Sequence, residues 1–333
     1  MGVWQVDADT LAGSRFVVSS LVETTASLKK LAAPVAAHPG ERRWLDAHLP
    51  AYRARLAAEP VTALLVDAAF GATWNADFLT PTPAGLREDD LDEGLGRIGA
   101  VSSDAVRADL AVSSPGPLPG PLAHADDLAE RVADLLGWVW RETVRPEWAR
   151  RRRVIEADVV ARTRELTRGG WAVAFAGMRP TMRWLGEGLL RINAHDYPPR
   201  DVSGARLLFV PVTLKEGWVS WHTDGNGESD GTGDRYAVVY PCAGALADTG
   251  RATPDGLAAL VGPARAHVLV RLEQPLSTTQ LVALTGQGLG SVGRHLKVLL
   301  DARLVGRRRA GRSVLYFRTP AGDALVAAQR DPG

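Results

Sequence analysis

Apolar residues recur at helical spacing through most of the first 170 positions, and in short runs between about Leu207 and Tyr240. Val3 to Val6 reads as a short strand. Asp7 or Thr10 is placed to cap a helix whose Leu11, Phe16, Leu21 and Leu28 share a side until Pro34. Trp44, Leu45, Leu49, Tyr52 and Leu56 continue the period up to Pro60, and Val61 to Phe70 reads as buried. Ser113 to Pro121 interleaves Pro and Gly, so it is a loop and a candidate hinge. Leu128, Val132, Leu135, Leu136, Val139, Trp140 and Val144 form an amphipathic helix ending at Pro146; a second helix runs from about Glu147 to Thr167, and the two are expected to pack together. Leu207 to Leu214, Trp218 to His222 and Tyr236 to Tyr240 are apolar, β-branched runs separated by Gly and Asp, as in a small antiparallel sheet. After a small, polar stretch from Ala243 to Pro254, helical spacing resumes at Leu257 and Leu260. The boundary therefore falls between 250 and 258, and the expected fold class is α+β: a mostly helical N-terminal domain with a small antiparallel sheet over 1–250, and a second domain over 258–333.

Composition agrees with two globular domains: 333 residues, 46% hydrophobic and 23% charged, with a net charge of +1. That balance conceals an asymmetry. From Ala258 onward eleven Lys and Arg face four acids, a net of +7, while the rest of the chain carries 28 bases against 34 acids, a net of −6. A basic module on an acidic body points to a polyanion partner for the module alone. The single cysteine, Cys242, forbids an intramolecular disulfide and suits a reducing interior. No secretory pattern opens the chain and no apolar run approaches the roughly 20 residues that span a bilayer, so a cytoplasmic location without membrane association is expected.

Within the module, Pro263 starts a helix, Ser277 or Thr278 caps a second, and Gly286 ends it. A third helix begins near Gly290 with Val292, Leu296 and Leu299 on one stripe, leaving Ser291, Arg294, His295 and Lys297 off it. Two helices joined by a glycine turn have helix-turn-helix spacing, in which the second enters the major groove. Leu304 and Val305 open a strand, Arg307, Arg308, Arg309, Ala310, Gly311 and Arg312 form a basic turn, and Val314 to Phe317 return as the second strand of a hairpin.

Gly290 to Thr319, GSVGRHLKVLLDARLVGRRRAGRSVLYFRT, resembles the recognition helix and wing of the ArsR-type winged-helix transcription regulators, over about the last 75 residues. Ser14 to Leu31 (SRFVVSSLVETTASLKKL) and Tyr236 to Gly244 (YAVVYPCAG) are more weakly similar to actinobacterial regulators that carry this module at the C-terminus. The resemblance implies that Ser291, Arg294 and His295 face double-stranded DNA, with Thr278, Thr279 and Lys297 completing the set. Arg307, Arg308, Arg309 and Arg312 would follow the backbone or minor groove. It also implies a homodimer on an inverted repeat, acting as a repressor and released by a small non-metal effector. Gln287, Gly288 and Gly293 stand where the family carries an apolar residue, a hydroxyl cap and a serine, so the glycine-containing helix, with Gly288, Gly290 and Gly293, leaves sequence readout open.

Metal sensing in that family needs paired thiolates or His and acid ligands; with Cys242 alone and only His267 and His295 in the module, neither metal nor cofactor is expected. The Asp224 to Asp234 loop has calcium-like oxygens but carries Ser229 and Arg235 where an EF-hand needs glycine and an acid, so a solvated connection is the preferred reading. The Arg150 to Arg153 run reads as a solvated helix with ion pairs rather than a second DNA contact. All ten tryptophans precede the module; most are expected in the core, with Trp171, Trp184 and Trp218 as a candidate effector pocket. His195 with Asp196, and His222 with Asp224, lack a nucleophile motif, so no catalytic residue is assigned. The alternative is an enzyme or small-molecule-binding protein using the tryptophan-rich domain, with the module as a protein contact.

Overall fold

The computed structural model describes residues 2–71, 73–83, 90–114, 116–195, 197–223, 233–242, 254–272, 275–285, 287–310 and 313–328. The chain begins β1 (Val3–Gln5), α1 (Ala8–Gly13), β2 (Arg15–Phe16), α2 (Ser20–Ala32), α3 (Pro39–Ala58) and α4 (Pro60–Ala69). It continues α5 (Leu91–Gly99), α6 (Ser103–Ser113), α7 (Gly120–His124), α8 (Leu128–Val139) and α9 (Trp148–Phe175), which is kinked at Gly170 (φ +68°). Strands β3 (Arg183–Gly186), β4 (Leu189–Arg191), β5 (Arg200–Asp201), β6 (Arg206–Val212), β7 (Val219–His222) and β8 (Arg235–Pro241) follow. The C-terminal part is α10 (Asp255–Val261), α11 (Pro263–Arg271), β9 (Leu276–Ser277), α12 (Thr278–Thr285), α13 (Leu289–Asp301), β10 (Val305–Ala310), β11 (Ser313–Arg318) and α14 (Pro320–Ala327). The fold is α+β, and among the described residues no helix is long and apolar enough to cross a membrane.

The run from Asp7 to Pro34 is two helices, not one. Asp7 caps only α1, accepting from the Thr10 amide at 2.7 Å. Ser14 then turns extended, and Arg15 and Phe16 pair in parallel with Leu208 and Phe209. Ser19 caps α2 through the Val22 amide at 3.2 Å. The apolar stripe divides at this break: Leu11 and Phe16 pack on the core around Trp4 and Phe175, whereas Leu21 and Leu28 enter the helical core.

The antiparallel expectation is also corrected. The sheet has order β2-β6-β8-β7, in which β2, β6 and β8 are parallel and only β7 is antiparallel. One face, with Leu207, Phe209, Tyr236, Val238 and Tyr240, packs with Trp4, Phe175 and Met182; the other, with Leu208, Val210, Val212, Ala237 and Val239, packs with Val22 and Ala26 of α2. Strands buried on both faces favour parallel neighbours and lack the polar alternation of a half-exposed sheet. A second sheet, β3-β4-β1-β5, goes beyond the expected strands apart from β1; its members are at most four residues long, too short to show a period. Gly188 (φ +77°) seats it, since a Cβ there would approach Gln5 Nε2 at 2.5 Å and Val6 O at 2.8 Å.

Helices α8 and α9 do not form the expected pair. A π-turn at Trp140–Val144 and a 3-10 turn at Arg145–Glu147 redirect the chain between them. Helix α8 enters the helical body against α5, α4 and α2, whereas α9 lies against β6, β3 and α12. The arginine run is not uniformly solvated either. Arg152 is exposed and pairs with Glu156 at 2.9 Å, but Arg151 is fully buried, with Nη1 2.7 Å from Glu23 Oε1. Ser27 Oγ at 3.2 Å and Thr143 O at 3.2 Å also accept from Arg151, and the Thr213 amide and hydroxyl both donate to Glu23.

The C-terminal core consists of the segment's own residues, among them Leu257, Leu269, Leu281, Val292, Leu296, Leu299, Val305 and Val326. A fragment spanning 254–333 is therefore expected to fold alone, giving a helical circular dichroism spectrum and a cooperative melt. A fragment without a cooperative transition would show that the α9 contact is required for folding.

Candidate nucleic-acid interface and ligand pocket

Ser277 caps α12 in a reciprocal arrangement: its Oγ accepts from the Gln280 amide at 3.3 Å, and Gln280 Oε1 accepts from the Ser277 amide at 2.8 Å. Thr278 and Thr279 follow on the first turn, half-buried; Thr279 Oγ1 accepts from Arg164 of α9 at 3.4 Å. Leu284 packs with Val154, Ile155 and Cys242. The first helix of the pair thus rests on the N-terminal body, which holds it in place and turns Thr279 toward α9.

Helix α13 buries Val292, Leu296 and Leu299 and leaves Arg294 and Lys297 exposed. Arg294 donates to Ser291 Oγ at 3.1 Å, so the guanidinium lies over the first turn. His295 is half-buried; burial and the neighbouring Arg265 and Arg294 push its pKa down, which keeps the imidazole neutral at neutral pH.

Arg307, Arg308 and Arg309 belong to β10 and not to a turn, because β10 extends to Ala310 opposite Ser313. All three are exposed. Strand alternation places Arg307 and Arg309 on the face of Val305 and Tyr316, and Arg308 on the face of Leu315 and Phe317. Arg312 and the Gly286 turn lie outside the described residues, as do Asp196 and nearly all of the Asp224 to Asp234 loop.

A cavity of about 560 Å³ opens where the α4–α5 connection, α2, the β4–β5 connection and β7 converge. Of the three tryptophans expected there, only Trp218 lines it. Trp171 stacks on Phe175 at 5.0 Å and Trp184 lies 6.1 Å from the same ring, so both belong to the sheet core. The aromatic walls are completed by Trp4, Trp74 and Trp221; Trp74 meets Trp221 edge-on at 5.3 Å and Tyr197 at 5.8 Å. Trp74 carries a signal that sequence reasoning missed, because a tryptophan between Gly71 and Asn75 sits in a connection rather than on a helical stripe.

The charged groups of the cavity carry no signal in the local pattern. Lys29, Arg179 and Arg200 line it together with Asp77 and Asp201, and His195 stands at its exposed edge. Arg200 lies 4.2 Å over the Trp221 ring. Burial and the neighbouring Asp109 push the Asp77 carboxyl up to about 6, against the opposing pull of Arg200. Among the described residues no group of three His, Cys, Asp or Glu side chains is placed to hold a metal ion. No protein-family model matches the chain, and no curated protein or solved structure is significantly similar to it.

Proposed function

We propose that the chain is a DNA-binding transcription regulator of the ArsR-type winged-helix kind. In this reading α12 and α13 form the helix-turn-helix and β10 with β11 the wing. The protein acts as a homodimeric repressor on an inverted repeat whose half-sites lie about 34 Å apart. The N-terminal domain supplies the dimer contacts and an effector pocket.

The observation that carries the reading is the division of α13 into a core stripe and an exposed basic face beside a strand bearing three exposed arginines. Guanidinium groups displace counterions from phosphates, and arginine is able to grip guanine through two hydrogen bonds. Nothing in the core of the module accounts for them.

Selection of binding sites from random duplexes by the full-length protein tests the reading. An enriched, two-fold-symmetric sequence bound with falling affinity at rising salt is expected; absence of duplex binding even at low salt overturns it. On the selected site Arg294→Ala should cost about 1–3 kcal/mol of discrimination at one base pair. The melting temperature should be unchanged, since the side chain is exposed. Equal affinity of the variant for all sites would remove Arg294 from base readout.

A further inference from the structure

We propose that the cavity beside Trp74, Trp218 and Trp221 binds a small organic monoanion with a flat apolar body, its carboxylate gripped by Arg179 and Lys29. Ligand binding is independent of the DNA reading; only a link between occupancy and DNA affinity rests on it.

Two of the buried arginines elsewhere in the fold sit against carboxylates. Arg151 is matched by Glu23 at 2.7 Å and Arg162 by Glu165 at 3.1 Å. Arg179 breaks that habit. Its Nη1 is buried and meets no hydrogen-bond partner among the described residues, and burial alone pushes its pKa down, with no acid to offset it. The guanidinium lies by the cavity wall at Gly217, where an added Cβ would sit 3.6 Å from its Nε.

Lys29 shares the predicament. Its ammonium donates to Asn75 Oδ1 at 3.1 Å and lies 5.8 Å over the Trp218 ring. Burial pushes its pKa down; Glu216 pulls the other way, but that carboxylate is already paired with Lys30 at 2.8 Å, and Arg179 adds repulsion. Two partly desolvated cations that line one cavity, with Arg179 repelling Lys29, are unfavourable until an anion joins them.

The remaining lining sets the size and charge of that anion. Lys29, Arg179 and Arg200 face Asp77 and Asp201, which leaves one positive charge to be neutralised. Trp74, Trp218 and Trp221 give the wall an aromatic, apolar lining, with one face of Trp221 covered by Arg200 at 4.2 Å. A volume of about 560 Å³ lies inside the roughly 300–1,000 Å³ of small-molecule sites.

Calorimetric titration of the full-length protein with 2-naphthoate, 2-naphthamide and inorganic phosphate, without DNA, tests the assignment. Naphthoate is expected to bind at least about tenfold more tightly than either of the others, and Arg179→Gln or Lys29→Met to lose about tenfold or more in naphthoate affinity. Because Arg179→Gln removes an uncompensated charge, its ligand-free melting temperature should equal or exceed the parent's, which separates lost binding from lost folding. Naphthamide binding as well as naphthoate, phosphate binding as well as naphthoate, an unchanged Arg179→Gln affinity, or no naphthoate binding at about millimolar concentration would each overturn the proposal. DNA affinity, measured separately, leaves this result untouched.

Discussion

Replacing Arg151 with methionine should cost about 3–5 kcal/mol and lower the melting temperature of the N-terminal domain by roughly 6–20 °C. The side chain is fully buried, stacked 5.5 Å from the Trp44 ring and bonded to Glu23, Ser27 and Thr143. Methionine fills much of the volume but takes the cation away from the buried Glu23 carboxyl, to which, among the described residues, the Thr213 amide and hydroxyl still donate. Such an orphaned carboxyl, rather than the loss of the pair's own attraction, is the main cost. Glu23→Gln in the same background should therefore recover part of the loss. Thermal melts of the single and double variants settle it: a single variant melting within about 2 °C of the parent would mean the network is relieved by water.

The other large effect concerns DNA. Replacing Arg307, Arg308 and Arg309 together with alanine should weaken binding to all duplexes alike and flatten the dependence of affinity on salt by about 0.9 for each phosphate no longer neutralised. The three positions do not act alike, because β10 sends Arg308 to one face and Arg307 with Arg309 to the other. Only one face of a hairpin lies along a phosphate backbone at a time. Of Arg308→Ala and the Arg307→Ala/Arg309→Ala pair, one should carry nearly all of the loss. Filter-binding isotherms at several salt concentrations read this out. An unchanged slope in the triple variant would mean that the strand points away from DNA.

How far local pattern reaches is clear from particular elements. The stripe of Val292, Leu296 and Leu299 is buried as its spacing requires, because a helix packed on one side writes its orientation into its own sequence. The apolar runs of β6 and β8 reveal the strands but not their parallel pairing, since a strand covered on both faces shows no alternation. β2 disappears into a helical pattern because two residues are too few for any period, and its partner Phe209 lies far along the chain. At the pocket, residue type alone picks out Trp218 and, by the same reasoning, wrongly adds Trp171 and Trp184: a tryptophan is as good a core residue as a wall. Lys29 looks like any charge on a helix, and Arg179 like any charge in a turn. That the two line one cavity, neither with an ion pair among the described residues, is a property of the assembled fold alone.

The pairing of β1 has a consequence for the order in which the molecule assembles. Trp4 lies opposite Leu190 on one side and Arg200 on the other, and Phe16 opposite Phe209. At about 5–20 residues per second of synthesis, these first strands wait roughly ten seconds or longer for their partners to leave the ribosome. During that wait Trp4 and Phe16 are sticky, unsheltered segments. Such long-range closure also raises contact order and slows the final step of folding. The C-terminal segment, whose β9, β10 and β11 find each other within a few tens of residues, carries no such delay. It should reach its native hydrogen bonds sooner after synthesis than the sheet that β1 completes.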